Sequence, residues 1–83
     1  MLYTFHSDNG HGWLQVSKNE LVNLGIENSI SRYSYRNKND VFLEEDCDAS
    51  LFVNAMENKG IKIKYTYVKV NGDSFIRLLS KYY

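Results

Sequence analysis

The chain of 83 residues has no proline, a single cysteine and no net charge, ten basic side chains being matched by ten acidic ones. Each lack removes a class of explanation. Without proline no element is broken by a ring that lacks an amide hydrogen, so regular elements are expected throughout. Cys47 has no partner for an internal disulfide and belongs to no CxxC pair, which points to a reducing compartment and an expected cytoplasmic location. No apolar stretch approaches the roughly 20 residues that span a bilayer. The opening MLYTFHSDNG has neither the basic start nor the apolar run of a secretion signal, so no membrane association is expected. Balanced charge gives no overall pull towards nucleic acid. There is no Walker loop and no GxSxG elbow, and GHGW does not follow the dinucleotide fingerprint.

What is present is enough for one core. Hydrophobic residues make up 43% of the chain and aromatic residues 14%, without low-complexity tracts. A chain this short buries only a little over ~60% of its unfolded surface and cannot divide that between two cores, so residues 1–83 are expected to form a single domain. LYTFH and the segment from Trp13 to Val16 are rich in strand formers and flank a Gly/Asn/Asp cluster, the pattern of a hairpin. SKNE has capping-box spacing between Ser17 and Glu20, and Gly25 stands where a left-handed stop is needed, predicting a helix over residues 18–24. ISRYSYR alternates, with Tyr33 and Tyr35 on one face and Arg32, Ser34 and Arg36 on the other, and VFLEE reads as its partner strand. Asp46 or Asp48 is expected to cap a second helix, on which Leu51, Phe52, Ala55 and Met56 share a side and which ends at Lys59-Gly60. GIKIKYTYVKV alternates again, and DSFIRLLSKYY, with Asp73 as its cap and Phe75, Ile76, Leu78 and Leu79 as an apolar side, is read as a short helix rather than an edge segment. The expected architecture is an α+β sandwich, a mainly antiparallel sheet of about five strands with two or three short helices on one face.

The segment HSDNGHGW, residues 6–13, gathers both histidines and the only tryptophan. A zinc centre needs three or four ligands held by further hydrogen bonds, and His6, Asp8 and His11 come from one loop, so a metal-dependent hydrolase is the least favoured reading. A structured turn accounts for the residues better. Gly10 and Gly12 would permit backbone angles that other residues avoid, Asp8 and Asn9 favour turns, and Trp13 would anchor the loop on the core. Cys47 is crowded by Glu44, Glu45, Asp46 and Asp48, the wrong sign to favour a thiolate, and is expected to be a small, partly buried structural residue. No catalytic residue, metal or cofactor is expected. Arg32, Arg36, Lys62 and Lys64 lie near tyrosines, the pairing used by single-strand binders. If those tyrosines pack beneath helices, however, the cations form only a solvated face. Helix capping needs about two of the four acids, and charge beyond that need suits docking on a basic protein surface.

Taken together, FHSDNGHGWLQV, LGI, ISRYSYRN, VFLEEDCDASLF and SFIRLL resemble a family of small uncharacterised proteins associated with phages, plasmids and the bacterial genomes that carry them; HSDNGHGWL and LEEDCDA are the most specific parts. The resemblance implies an accessory protein of a mobile element acting in the host cytoplasm, and carries no catalytic residues with it. The expectation is a non-catalytic module that binds a host defence or replication protein and inhibits it, through His6, Asp8, His11, Trp13, Glu44, Glu45 and Asp46. A nucleic-acid accessory role through Arg32, Arg36, Lys62 and Lys64 is the alternative. Pairing of two copies through an exposed strand or through Tyr82 and Tyr83 stays open.

Overall fold

Capping chemistry and strand alternation decide the first third of the chain. The computed structural model describes residues 1–83, beginning with the hairpin β1 (Leu2–Ser7) and β2 (Gly12–Ser17) and the helix α1 (Lys18–Leu24). Ser17 accepts a hydrogen bond from the Glu20 amide, and Glu20 accepts one from the Ser17 amide at 2.8 Å. Gly25 ends the helix in the left-handed region at φ 71°. The other oxygen of Glu20 accepts from the Tyr3 hydroxyl, which ties α1 to β1. Ser17→Ala is therefore expected to cost about 1 kcal/mol, read as a fall of about 4–8 °C in thermal unfolding.

The remaining elements are β3 (Tyr35–Arg36), β4 (Asp40–Glu44), α2 (Asp48–Asn58), β5 (Lys64–Lys69), a single 3₁₀ turn at Phe75–Leu78 and β6 (Ser80–Lys81). They complete an α+β domain whose six-stranded sheet runs β5-β1-β2-β4-β3-β6, antiparallel except where β5 joins β1 in parallel. No helix is long and apolar enough to cross a membrane.

Both faces of the central strands are covered, which explains why β4 carries three consecutive buried apolar residues, Val41, Phe42 and Leu43, rather than an alternating pattern. On one face Tyr3, Leu14, Val16, Val41 and Leu43 meet Leu21 of α1 and Ala49, Phe52 and Met56 of α2. On the other, Trp13 and Phe42 meet Ile76, with Tyr35 and Leu79 packed alongside.

That second cluster corrects the expected final helix. Residues 74–79 form one 3₁₀ turn that crosses the sheet as a strap, on the face away from both α-helices. Only Ile76 is wholly enclosed, whereas Phe75 is 54% and Leu78 89% exposed, so the apolar side that a longer helix would have buried does not exist. The strap continues into β6 against β3, and the Tyr82 amide donates to the Ser34 carbonyl at 2.8 Å.

Two further expectations are revised by the same residue, Asp48. It does not cap α2. Its carboxylate turns to the preceding loop, accepting from the Ser31 amide at 3.0 Å, from the Ser31 hydroxyl at 2.7 Å and from the Ser34 hydroxyl. Ser31 and Ser34 are thereby held in turns, and the predicted strand over residues 30–36 shrinks to Tyr35–Arg36. Asp46 does not cap either: the N-cap is Cys47, which makes no side-chain bond. Glu44 does the satisfying from one strand end away, accepting the amides of Asp46 at 3.0 Å and Cys47 at 3.1 Å.

Candidate functional site

The HSDNGHGW turn is organised by Asp8. One of its oxygens accepts the amides of Gly10 and His11, both at 2.9 Å, which closes the turn. The strap supplies the rest: the Ser74 amide at 2.9 Å, Arg77 Nε at 2.6 Å and Arg77 Nη2 at 2.9 Å. The Asp8 side chain is fully enclosed while that of Arg77 keeps 30% of its surface. A carboxylate that accepts five N–H donors, two of them from a guanidinium, holds the two distant parts of the chain in one register.

Those same donors favour the charged form. Arg77, then the Ser74 amide, then those of Gly10 and His11 outweigh the cost of burial and hold the Asp8 carboxyl well below the usual carboxylate range. Unfolded Asp8 binds a proton more readily than folded Asp8, so its contribution to stability is complete above the unfolded value and is lost as pH falls towards the folded one. The urea midpoint is expected to decline progressively as pH is lowered below about 4. Asp8→Asn should flatten that acid limb, which titration of the remaining carboxylates alone would leave unchanged.

The two glycines of the turn have a different purpose from the one expected. Neither adopts a positive φ, a feature confined to Gly25, Gly60 and Gly72. Space is the constraint: a Cβ on Gly12 would lie 2.7 Å from the Phe5 ring and from the Glu45 carboxylate, and one on Gly10 would lie 2.9 Å from Arg77 Nη2. Glycine here permits close approach.

At the far end of the turn a hollow of about 350 Å³ opens. Cross-strand pairing sets it up, because Trp13 is opposite Glu44 and the Glu45 amide donates to the Gly12 carbonyl at 3.1 Å. His11, Trp13, Tyr33, Tyr35, Glu44, Asp46, Cys47, Arg77 and Lys81 line it. Trp13 is nearly buried and stands edge-on to Tyr35, with ring centroids 6.2 Å apart. The Arg77 guanidinium carbon lies 5.4 Å from the Trp13 centroid, and Lys81 Nζ lies 4.3 Å from that of Tyr35 while donating to its hydroxyl at 3.0 Å. The aromatic walls thus already carry cations of this chain, and the Asp46 carboxylate, in no ion pair, belongs to the same lining.

Among the residues singled out from sequence, His11, Trp13, Glu44 and Asp46 meet at this hollow, whereas His6, Asp8 and Glu45 do not. His6 is under the strap, its Nε2 donating to Gln15 Oε1 at 2.8 Å and its ring 5.7 Å from both Phe42 and Phe75. Gln15 in turn donates to Asp40 at 2.9 Å, which fixes the orientation of its amide. Asp8 is enclosed, so it offers a partner no surface of its own and acts by shaping the turn. Glu45 is exposed on the opposite face of the sheet, beside Phe5, Ala49 and Tyr65. His6, Asp8 and His11 therefore do not converge, and no three histidine, cysteine or carboxylate side chains come together in metal-holding geometry. Cys47, expected to be partly buried, is the N-cap of α2 and is exposed among the residues lining the hollow.

The cation and tyrosine set is also divided. Lys62 and Lys64 belong to the β5 side, while Arg32 and Arg36 belong to the β3 side, four strand spacings away across the sheet, or about 19 Å. The condition placed on the tyrosines fails too. Tyr65 and Tyr67 are 38% and 73% exposed.

Reasoning from sequence missed Arg77, Lys81 and the part played by Tyr33 and Tyr35. Nothing local announces that a strap will bring residues 77 and 81 beside residue 13. Compared with models of protein families, with curated proteins and with solved structures, the chain matches none.

Proposed function

We propose that this protein is a non-catalytic binding module that docks on a larger protein through the hollow between the His11 turn and the Glu44–Cys47 turn. The observation that carries this reading is that two polar segments singled out independently, GHGW and LEED, flank one concave surface floored by Trp13. Aromatic side chains at the centre with charged groups at the rim are the usual composition of a protein contact. Both signs are present, Asp46 with Arg77 and Lys81 around one hollow, which suits a partner with paired charges rather than a polyanion. The resemblance to phage- and plasmid-associated proteins supports a host protein, of defence or replication, as the partner, with inhibition by occupancy.

The test uses exposed positions that the fold does not need. Tyr33 is 65% exposed and Asp46 is exposed, so Tyr33→Ala with Asp46→Lys should leave thermal unfolding within a few degrees of the parent. Immobilised parent protein is expected to retain one stoichiometric protein from bacterial lysate and the double variant to lose it. Retention of the same proteins by both would remove the hollow from the interaction.

A further inference from the structure

We infer that the free edge of β5 is a second interaction surface, one that accepts an extended acidic segment of a partner protein as an added strand. Every residue of β5 is exposed, which is unusual for a strand in register with the first strand of the chain over six pairs. Lys64 and Val70 donate their amides to the Met1 and Ser7 carbonyls of the β1 side. Backbone groups alternate along a parallel ladder, so those of Tyr65, Tyr67 and Lys69 face away from β1 with no strand beyond them. An open edge of six residues, roughly 20 Å long, offers main-chain hydrogen bonds to whatever strand fits its side chains.

Charge selects that strand. Between residues 59 and 72 the sequence KGIKIKYTYVKVNG has four lysines, at 59, 62, 64 and 69, and no acid. A second copy pairing edge to edge would set lysine-bearing strands along one ribbon with no acid to offset them, the arrangement by which proteins discourage self-pairing. Within β5 Lys64 and Lys69 stand on opposite faces, so an acidic strand gains a cross-strand ion pair whichever face its acids take. Nucleic acid is less well matched. Glu45 and Phe5 border the same side of the sheet as Tyr65, and burial, Tyr67 and the charge of Glu57 together push the Tyr65 hydroxyl up, so a phosphate chain stacked on the tyrosines would run past carboxylates. A peptide lying in the plane of the sheet avoids them. Phe5, Tyr65 and Tyr67 then form an aromatic shelf, with Phe5 6.4 and 6.1 Å from the other two centroids, for the apolar side chains of the incoming strand.

The experiment is a titration of ¹⁵N-labelled protein with a blocked heptapeptide alternating glutamate and valine. In parallel run the same peptide with lysine in place of glutamate, and a twelve-nucleotide oligothymidylate. The acidic peptide should shift the amides of Tyr65, Tyr67 and Lys69 and slow their exchange with solvent about tenfold, while the basic peptide leaves them unmoved. Lys64→Glu with Lys69→Glu, both exposed and together covering the two faces of the strand, should weaken the acidic peptide at least about tenfold and admit the basic one. Tyr67→Pro, which removes an outward amide, should weaken the acidic peptide without changing charge. The inference is overturned if the acidic peptide leaves these amides unmoved, if only oligothymidylate moves them, or if they shift with protein concentration alone, the signature of two copies pairing.

Discussion

Asp8→Ala is expected to detach the strap while leaving the rest of the sheet folded. The side chain removed accepts from Gly10, His11, Ser74 and Arg77, so the change opens the turn after β1 and frees residues 73–79 at once. It also leaves the Arg77 guanidinium against Trp13 with only the exposed Asp73, 3.8 Å away, as counter-charge. A fall of ~10 °C or more in the unfolding midpoint is expected, larger than for the loss of any exposed ion pair. Three readouts separate strap release from general weakening. Limited proteolysis should cut between residues 70 and 79 before any other site, emission from Trp13 should move to longer wavelength as its cover lifts, and helix content by circular dichroism should be retained. The double variant Asp8→Asn, Arg77→Gln should lose less than the sum of the two single changes, because each removes what the other leaves unpaired. Independent effects in that cycle would mean that the pair does not hold the strap.

The second large effect is expected at Trp13. It is 2% exposed, stacks edge-on with His11 and Tyr35, and packs with Phe42 and Ile76 in the cluster beneath the strap. Truncating a buried aromatic ring of this size costs about 3–5 kcal/mol, against a total stability of about 5–15 kcal/mol for a domain of ordinary stability. Trp13→Ala should therefore be partly unfolded at 37 °C or lose ~15–30 °C of its melting temperature. Trp13→Phe, which fills most of the same volume, should retain the larger part of the stability. The contrast matters for the hollow, because the two variants share the loss of an indole but only the first removes its floor. A partner released by both would owe its binding to the indole itself. Phe52, fully enclosed on the opposite face, gives the control: Phe52→Ala should destabilise comparably without altering the hollow.

The contrast between α1 and the strap shows what could be seen in the sequence. Every signal that makes α1 is within nine residues of chain: Ser17 and Glu20 close the capping box, Leu21 is the core contact and Gly25 the stop. The predicted bounds and the observed ones coincide. α2 is equally visible by its apolar side, but its N-terminus is not, since Asp48, placed as a cap by spacing, serves Ser31 and Ser34 across 17 and 14 positions. The strap depends on a pairing between residues 69 positions apart, and neither Asp8 nor Arg77 differs locally from a surface residue. Alternation carried a similar ambiguity in β5. KYTYVK has the period of a half-buried strand, but at the sheet edge beside β1 all six of its residues are exposed. At the hollow, the acidic turn and the GHGW turn were each legible. That they share one surface follows from the pairing of β2 with β4, and the basic and tyrosine wall follows from the strap.

The parallel pairing of β1 with β5 has a consequence for how the molecule is assembled. Leu2 finds its partner only at Lys64, and Asp8 finds Arg77 later still. During synthesis the first strand must wait, paired on one side by β2 and bare on the other, until most of the chain has emerged. The entropy of closing so long a loop is spent before the contacts that reward it form, so the hairpin and the two helices should gather first and the outer strand and strap dock last.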